Sequence, residues 1–230
     1  MNLGLKEKVI IVTGGAKGIG EGISESLALE SAMVAIVGRN EADNLRCIEK
    51  IQATGGQAFS FVADLSNPEE CHQVVEKVAT MFGKIDGLVN NAGLSQGMDA
   101  FHEANLDDWD IMIDTNIKGL LYVSRLVAEW MVARKAGHII NIGSIAGKET
   151  YANGNVYCAT KHAVDSLNKA MRIDLLPHAI RVTGIHPGAV ETEFSAVRFK
   201  GDLERAKKVY DGFEPLIAQD IAEAIWFAVS

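Results

Sequence analysis

Six short apolar runs alternate with stretches that carry a helical stripe, and no other feature restricts the fold as strongly. The runs are Lys8–Thr13 (KVIIVT), Met33–Gly38, Gln57–Ala63, Asp86–Asn90, His138–Gly143 and Ile180–Ile185. Their content of Val and Ile marks strands buried on both faces. Between them the pattern predicts helices. The first runs from Gly18 to about Ser31, with Ile19, Ile23 and Leu27 on one stripe. The second is capped by Asn40, runs to about Thr54 and is closed by Gly55-Gly56. The third starts at Asn67-Pro68, runs to Phe82 and is stopped by Gly83. A long helix follows from Trp109 to about Ala133, and another from about Asn155 to Leu176, ended by Pro177. Asn at an N-cap accepts from otherwise unpaired N–H groups, Pro at the first helical position gives up a donor that has no partner there, and Gly past the end takes the left-handed turn. Strands spaced by helices require right-handed βαβ crossovers. The expected class is therefore α/β, a doubly wound parallel sheet with helices on both faces. A chain of 230 residues can bury one such core, and no Pro/Gly-rich linker or repeat divides it, so residues 1–230 are read as a single domain.

Composition excludes several other functions. Net charge is −8, with no basic footprint for nucleic acid and no basic amphipathic helix for a membrane surface. The longest apolar runs fall far short of the ~20 residues of a membrane span. Met1–Lys8 has no signal-peptide core. The three cysteines, Cys47, Cys71 and Cys158, are an odd number without a C-x-x-C pair, and the six histidines lack ligand spacing. They read as reduced thiols in a cytoplasmic protein with no disulfide framework and no metal site.

Ligands of such sheets bind at the carboxyl ends of the strands. Thr13–Gly20 (TGGAKGIG) joins the first strand to the first helix at that end. Gly14 permits a tight turn, Gly18 and Gly20 permit close approach, and the helix N-terminus offers unpaired N–H groups to a pyrophosphate. The spacing is Gly-x3-Gly-x-Gly rather than the commoner G-x-G-x-x-G. An acidic residue after the second strand would bind a ribose 2′-OH; this chain has Arg39 there, and Lys17 sits in the phosphate turn. Two cations near one ribose favour a 2′-phosphate, so NADP(H) is expected over NAD(H). Asp64, ending the third strand, is either a partner for an adenine amino group or a cap for the adjoining turn.

Tyr157 and Lys161 stand four residues apart on one helix face, a phenol beside an ammonium. A free tyrosine titrates near about 10. A neighbouring cation lowers that value and would suit the phenol to proton transfer. Taken alone, such a pair is more often a solvated helix face, Ser144 a turn residue and Asn116 a helix-packing amide.

Together these motifs make the chain resemble the short-chain dehydrogenase/reductase family along nearly its whole length. They are TGGAKGIG at Thr13–Gly20, NNAG at Asn90–Gly93, Asn116, Ser144, Tyr157-x-x-x-Lys161, and Pro187-Gly188 followed by Thr192. The resemblance implies a Rossmann-like fold and a catalytic set of Asn116, Ser144, Tyr157 and Lys161. Tyr157 would be the general acid or base, Ser144 would bind the substrate oxygen, Lys161 would hold the nicotinamide ribose and lower the tyrosine pKa, and Asn116 would keep a water in a proton relay. It further implies cofactor contacts at Gly14, Ala16, Lys17, Gly18, Ile19, Gly20, Arg39, Asp64, Leu65, Asn90, Ala92, Gly93, Pro187, Gly188, Val190 and Thr192, with Asn90 bracing the adenosine side.

The second half, with LSQGM after NNAG, HIINIGSIAG at His138–Gly147 and EFSAVRFKGD at Glu193–Asp202, is similar to NADP-dependent 3-hydroxy acid dehydrogenases acting on serine, allo-threonine or malonic semialdehyde. The first half is closer to sugar dehydrogenases such as L-fucose dehydrogenase. A small 3-hydroxy acid is the expected substrate; a sugar dehydrogenase, a 3-oxoacyl carrier-protein reductase and a non-catalytic nucleotide sensor are the alternatives. Residues 190–212 would form a substrate lid, with Arg198 pairing a carboxylate and Tyr151 and Ser144 completing the pocket. Family members usually continue into a seventh strand, which is missing here and leaves the sixth as an edge. A homodimer or homotetramer is expected, through the helices around 109–133 and 155–176.

Overall fold

Val9–Thr13 (β1) lies inside the sheet, and its side chains divide between two cores. Val9 and Ile11 enter one apolar layer; Ile10 and Val12 enter the other. The next strand, Met33–Gly38 (β2), does the same, with Ala35 and Val37 on the first side and Val34 and Ile36 on the second. Successive Cβ atoms of a strand point to opposite faces, so a strand covered on both sides must be apolar throughout. The computed structural model describes residues 4–229. Met1–Leu3, at the head of the segment read as lacking a signal-peptide core, and Ser230 lie outside the described residues.

The remaining strands are Gln57–Val62 (β3), Gly87–Asn90 (β4), Gly137–Ile142 (β5) and Ile180–Ile185 (β6). All pair in parallel, in the order β3-β2-β1-β4-β5-β6. The order reverses between β1 and β4, which is where an open sheet of this kind parts to admit a ligand. Among the described residues there is no seventh strand, and β3 and β6 form the edges. Helices Gly18–Leu29 (α1) and Glu41–Ala53 (α2) cover one face, while Pro68–Phe82 (α3) covers the other. Asn40 and Asn67 cap α2 and α3 through their side-chain oxygens, and Gly83 closes α3 at φ +70°, as expected.

The long helix differs from expectation. It begins at Leu106, because Asn105 Oδ1 accepts from Asp107 N at 2.8 Å and the acidic first turn suits the helix dipole. It is also three pieces: Leu106–Ile113 (α4), a π-helical turn over Asp114–Gly119, and Leu120–Arg134 (α5). A π-turn inserts a residue and rotates the helix beyond it, a device common at functional sites. Here it places Asn116 in the interior. Asn155–Leu175 (α6) comes after β5. The expected lid is two short helices, Phe194–Arg198 (α7) and Leu203–Lys208 (α8). Its base is pinned where Leu216 N donates to Ala189 O and Glu191 N donates to Leu216 O. The last helix, Ala218–Val229 (α9), packs beside α1. No described helix is long and apolar enough to cross a membrane.

His138 on β5 makes the sheet sensitive to pH. Its Nε2 lies 2.9 Å from Thr183 Oγ1 on β6, and its Nδ1 is buried without a partner. Burial, with Arg181 nearby, pushes its pKa down to about 4. An unfolded chain takes up this proton below about 6.5. Between those values the unfolded state binds more protons, so stability falls as pH falls. In His138→Asn the urea midpoint should drop less between pH 6.5 and 4.5 than in the wild type; an unchanged slope would show that the sensitivity lies elsewhere.

Candidate active site

A cleft of about 450 Å³ opens at the carboxyl ends of the strands. Its floor is the turn between β1 and α1. Gly14 and Gly18 take φ of +61° and +51°, and a side chain at Gly20 would run into the Gly14 carbonyl. No side chain caps the start of α1, so its first N–H groups suit an anion. The turn is laced to the loop after β4. Asn91 Nδ2 donates to Thr13 O and Gly14 O at 3.0 and 3.1 Å, and Thr13 Oγ1 accepts from the N–H groups of Asn91 and Ala92 at 3.0 Å each. Sequence reasoning assigned neither Thr13 nor Asn91 a role, although both stand inside the motifs it quoted.

Ala16, Lys17, Ile19, Arg39, Asp64, Leu65, Ala92, Gly93, Pro187, Gly188, Val190 and Thr192 line this cleft together with Ser144, Tyr157 and Lys161. Asn90, Asn116 and Gly20 do not. Asn90 was expected to brace the adenosine side. Its Nδ2 instead donates to Ser124 Oγ at 2.7 Å and Asn141 Oδ1 at 2.8 Å, in a buried amide chain that continues to Asn168 on α6. A side chain at the end of β4 points down into the interior; its neighbour Asn91 faces the turn.

At the end of the cleft below β2, two cations share one carboxylate. Asp43 pairs with Lys17 and with Arg46, each at 2.9 Å, and the Lys17 hydrogen bond helps hold its carboxyl below the usual range. Arg39, exposed on the cleft wall, has no carboxylate partner among the described residues. Asp64 Oδ1 caps the next turn by accepting from Ser66 N and Ser66 Oγ, at 3.0 and 2.8 Å, while its side chain also walls the cleft. A glycine cradle, an uncapped helix start and a surplus of positive charge fit a dinucleotide with an extra phosphate.

Tyr157 and Lys161 stand on one face of α6. Lys161 is 7% exposed, and its Nζ donates to Ile142 O at 3.0 Å; burial lowers its pKa to about 8. Asn116 Oδ1 accepts from Leu94 N at 2.8 Å, while its Nδ2 donates to Leu94 O at 2.8 Å and to Thr160 Oγ1 at 3.1 Å. It therefore fastens the loop after β4 to α6, with Gly93 making room between Asn116 Oδ1 and Lys161 Nζ. Ser144 caps a single 3-10 turn, Ile145–Gly147, and is hydrogen-bonded to the Tyr157 hydroxyl.

The origin of the Tyr157 acidity differs from expectation. Burial pushes the phenol up to about 12, and the main opposing influences are the Ser144 hydrogen bond and the charge of Arg198. Lys161 is not among the leading causes of the shift, because its ammonium points to the end of β5. The Arg198 guanidinium lies 5.1 Å from the centre of the Tyr157 ring. Its Nε donates to Ser95 Oγ at 3.0 Å and its Nη2 to Tyr151 OH at 2.9 Å. The three expected substrate contacts, Ser144, Tyr151 and Arg198, thus gather around the Tyr157 phenol.

Asp165, one turn beyond Lys161, was not anticipated. It pairs with Lys148 at 2.7 Å, Lys169 at 2.8 Å and His186 at 3.4 Å. Lys148 closes the Ser144 turn and His186 precedes Pro187-Gly188, so this carboxylate anchors both loops to α6. Among the described residues no group of three His, Cys, Asp or Glu side chains is placed to hold a metal.

The short chain dehydrogenase family matches residues 8–202. The NADP-dependent 3-hydroxy acid dehydrogenase YdfG of Salmonella typhi is 42% identical over 227 residues, covering 96% of this chain and 89% of its own. The NADP-dependent 3-hydroxy acid dehydrogenase of Schizosaccharomyces pombe is 37% identical over 228 residues, covering 98% and 88%. Among solved structures, the closed form of serine dehydrogenase complexed with NADP+ matches at a TM-score of 0.91 and 41% identity, over 95% of this chain and 88% of that one. The likeness to 3-hydroxy acid dehydrogenases therefore spans both halves of the chain.

Tyr157→Phe should lower turnover by roughly 10²–10⁴, the usual worth of a positioned acid or base, while NADPH titration by fluorescence shows binding preserved. Turnover within a few-fold of wild type would remove Tyr157 from proton transfer.

Proposed function

The chain belongs to the short-chain dehydrogenase family, and from that premise we propose that it moves a hydride between NADP(H) and the alcohol or carbonyl of a small 3-hydroxy acid. One observation carries the choice of substrate. Arg198, a cation with only neutral hydrogen-bond partners, lies against the ring of the proton-transfer residue. A substrate carboxylate would find its charge-assisted partner there. The names of the similar dehydrogenases support the same reading.

The cofactor, when bound, supplies the hydride. The protein handles the proton and the orientation. Ser144 and Tyr157 present two hydroxyls to one substrate oxygen. With its pKa near about 12, Tyr157 keeps its proton at neutral pH and is ready to give it to a carbonyl. In the reverse direction it must accept a proton, and the Arg198 charge and the Ser144 hydrogen bond favour the phenolate. Lys161 and Asn116 hold α6 and the loop after β4 in register beneath the nicotinamide end, and Arg39 with Lys17 would receive the 2′-phosphate.

The protein acts on a small molecule in the cytoplasm, consistent with three buried free thiols, and associates with copies of itself through α5 and α6. Ile173 and Leu176, at the carboxyl end of α6 and just beyond it, are exposed and apolar.

Initial rates with NADP+ and NAD+ on serine, 3-hydroxypropionate, fucose and an acetoacetyl thioester test the reading, which is lost if neither hydroxy acid nor its oxo partner turns over. Arg198→Ala should raise KM for a hydroxy acid about tenfold or more, the scale of a lost charged hydrogen bond, and that for an uncharged alcohol far less; equal effects on both would take Arg198 out of carboxylate recognition. Arg39→Ala should cut kcat/KM for NADP+ about tenfold while leaving that for NAD+ nearly unchanged.

A further inference from the structure

Beside Tyr157 lies a second cavity, much smaller than the cleft. Its volume is about 10 Å³, room for one water-sized group. Tyr157, Tyr151, Arg198, Met112, Asp99 and Asp108 are among the residues that line it. Asp108 stands in the first turn of α4 and is 5% exposed. A buried carboxylate is costly unless its oxygens are paired. Asp108 Oδ2 has Lys200 Nζ at 2.8 Å as its charged partner. Lys200 comes just after α7 in the lid, and its side chain is half exposed.

The local backbone is shaped for this carboxylate. Gly97 takes φ +73°, and its N–H donates to Arg198 O at 3.0 Å. A side chain on Gly97 would meet Asp108 Oδ2 at 2.8 Å and Asp99 Oδ2 at 3.4 Å. Both acids therefore turn toward the same point above the loop that carries Ser95, the hydroxyl that holds Arg198.

Charge counting then gives the cavity two poles. Asp99 and Asp108 oppose the single ammonium of Lys200, leaving one negative charge. Arg198, held by Ser95 and Tyr151, leaves one positive charge. A 3-hydroxy acid without an amino group would satisfy the positive pole only. A zwitterion satisfies both, and an ammonium is close to a water molecule in size.

Resting on the 3-hydroxy acid reading above, we propose that Asp108, with Asp99 at the rim, is an ammonium subsite that selects 2-amino-3-hydroxy acids over their unaminated counterparts. The substrate ammonium directs a hydrogen bond at Asp108 Oδ2 and takes the place of Lys200 as its partner. The carboxylate sits on Arg198, and the 3-hydroxyl is left at Tyr157 and Ser144. Asp108 thereby decides specificity and takes no part in hydride or proton transfer.

The test is the ratio of kcat/KM for serine to that for 3-hydroxypropionate, measured with NADP+ in Asp108→Asn and Lys200→Met. Wild-type enzyme should favour serine, Asp108→Asn should lower the ratio about tenfold or more, and Lys200→Met should raise it by removing the competing ammonium. A wild type that turns over 3-hydroxypropionate but not serine would overturn the subsite. So would an Asp108→Asn variant that loses both substrates by one factor. Should that variant fail to fold, Lys200→Met decides alone, and an unchanged ratio overturns the proposal. A wild type active on neither acid overturns the parent reading instead, a result distinct from a lost preference between two working substrates.

Discussion

A buried ammonium must find an acceptor, and much of the site depends on where Lys161 finds one. Its Nζ, inside the fold, donates to the carbonyl of Ile142 at the last residue of β5. Loss of hydration disfavours the charged form, so the single hydrogen bond is structurally strict. It ties one turn of α6 to one strand end. Tyr157, a turn earlier on the same helix, is thereby set against Ser144, which stands two residues beyond Ile142. Asn116 then fastens the loop after β4 to the same helix turn through Leu94 and Thr160. Strand, loop and helix cannot shift independently without stranding a buried polar group, which costs more than the bond itself contributes.

The active site divides its charges by function. At one end Lys17 and Arg46 pair with Asp43, and Arg39 lines the cleft without a carboxylate partner among the described residues. The opposite end places Arg198 over the rings of Tyr157, Tyr151 and Phe194. Between them the Tyr157 phenol is buried, so its pKa responds to whatever cation is near. Arg198 stands on α7, so the position of that helix bears on the charge felt by the Tyr157 phenol. The same side chain would receive a substrate carboxylate, coupling recognition at one end of the substrate to proton transfer at the other.

Much of this was legible in the residues, for definite reasons. The sheet could be read because doubly buried strands must be apolar and helix ends must cap their free N–H groups; Asn40, Asn67 and Gly83 each did what their chemistry required. The glycine-rich turn could be read because glycine takes the left-handed backbone seen at Gly14 and Gly18 at the least steric cost. Asn90 and Asn91 could not be told apart. Adjacent residues at a strand end face opposite directions, and only the strand's register decides which one faces the turn. The π-turn at Asp114–Gly119 leaves no mark in a 3.6-residue periodicity that resumes on either side of it. Asp165 looks like any solvated helix acid until β6 and the Ser144 turn bring His186 and Lys148 to it.

Local chemistry along the chain was thus sufficient for the order and type of the elements, the anion-binding turn, and the pairing of Tyr157 with Lys161 on one helix face. Those depend on backbone sterics and on side chains three or four positions apart. Tertiary structure alone decided which cation influences the phenol, because Lys161 and Arg198 both carry the charge and only one is aimed at the ring. It also decided that Arg198 meets Asp108 and Gly97, both distant from it in sequence, around a single small cavity. Electrostatic influence falls off with distance and depends on burial, and neither can be read from a linear order of residues.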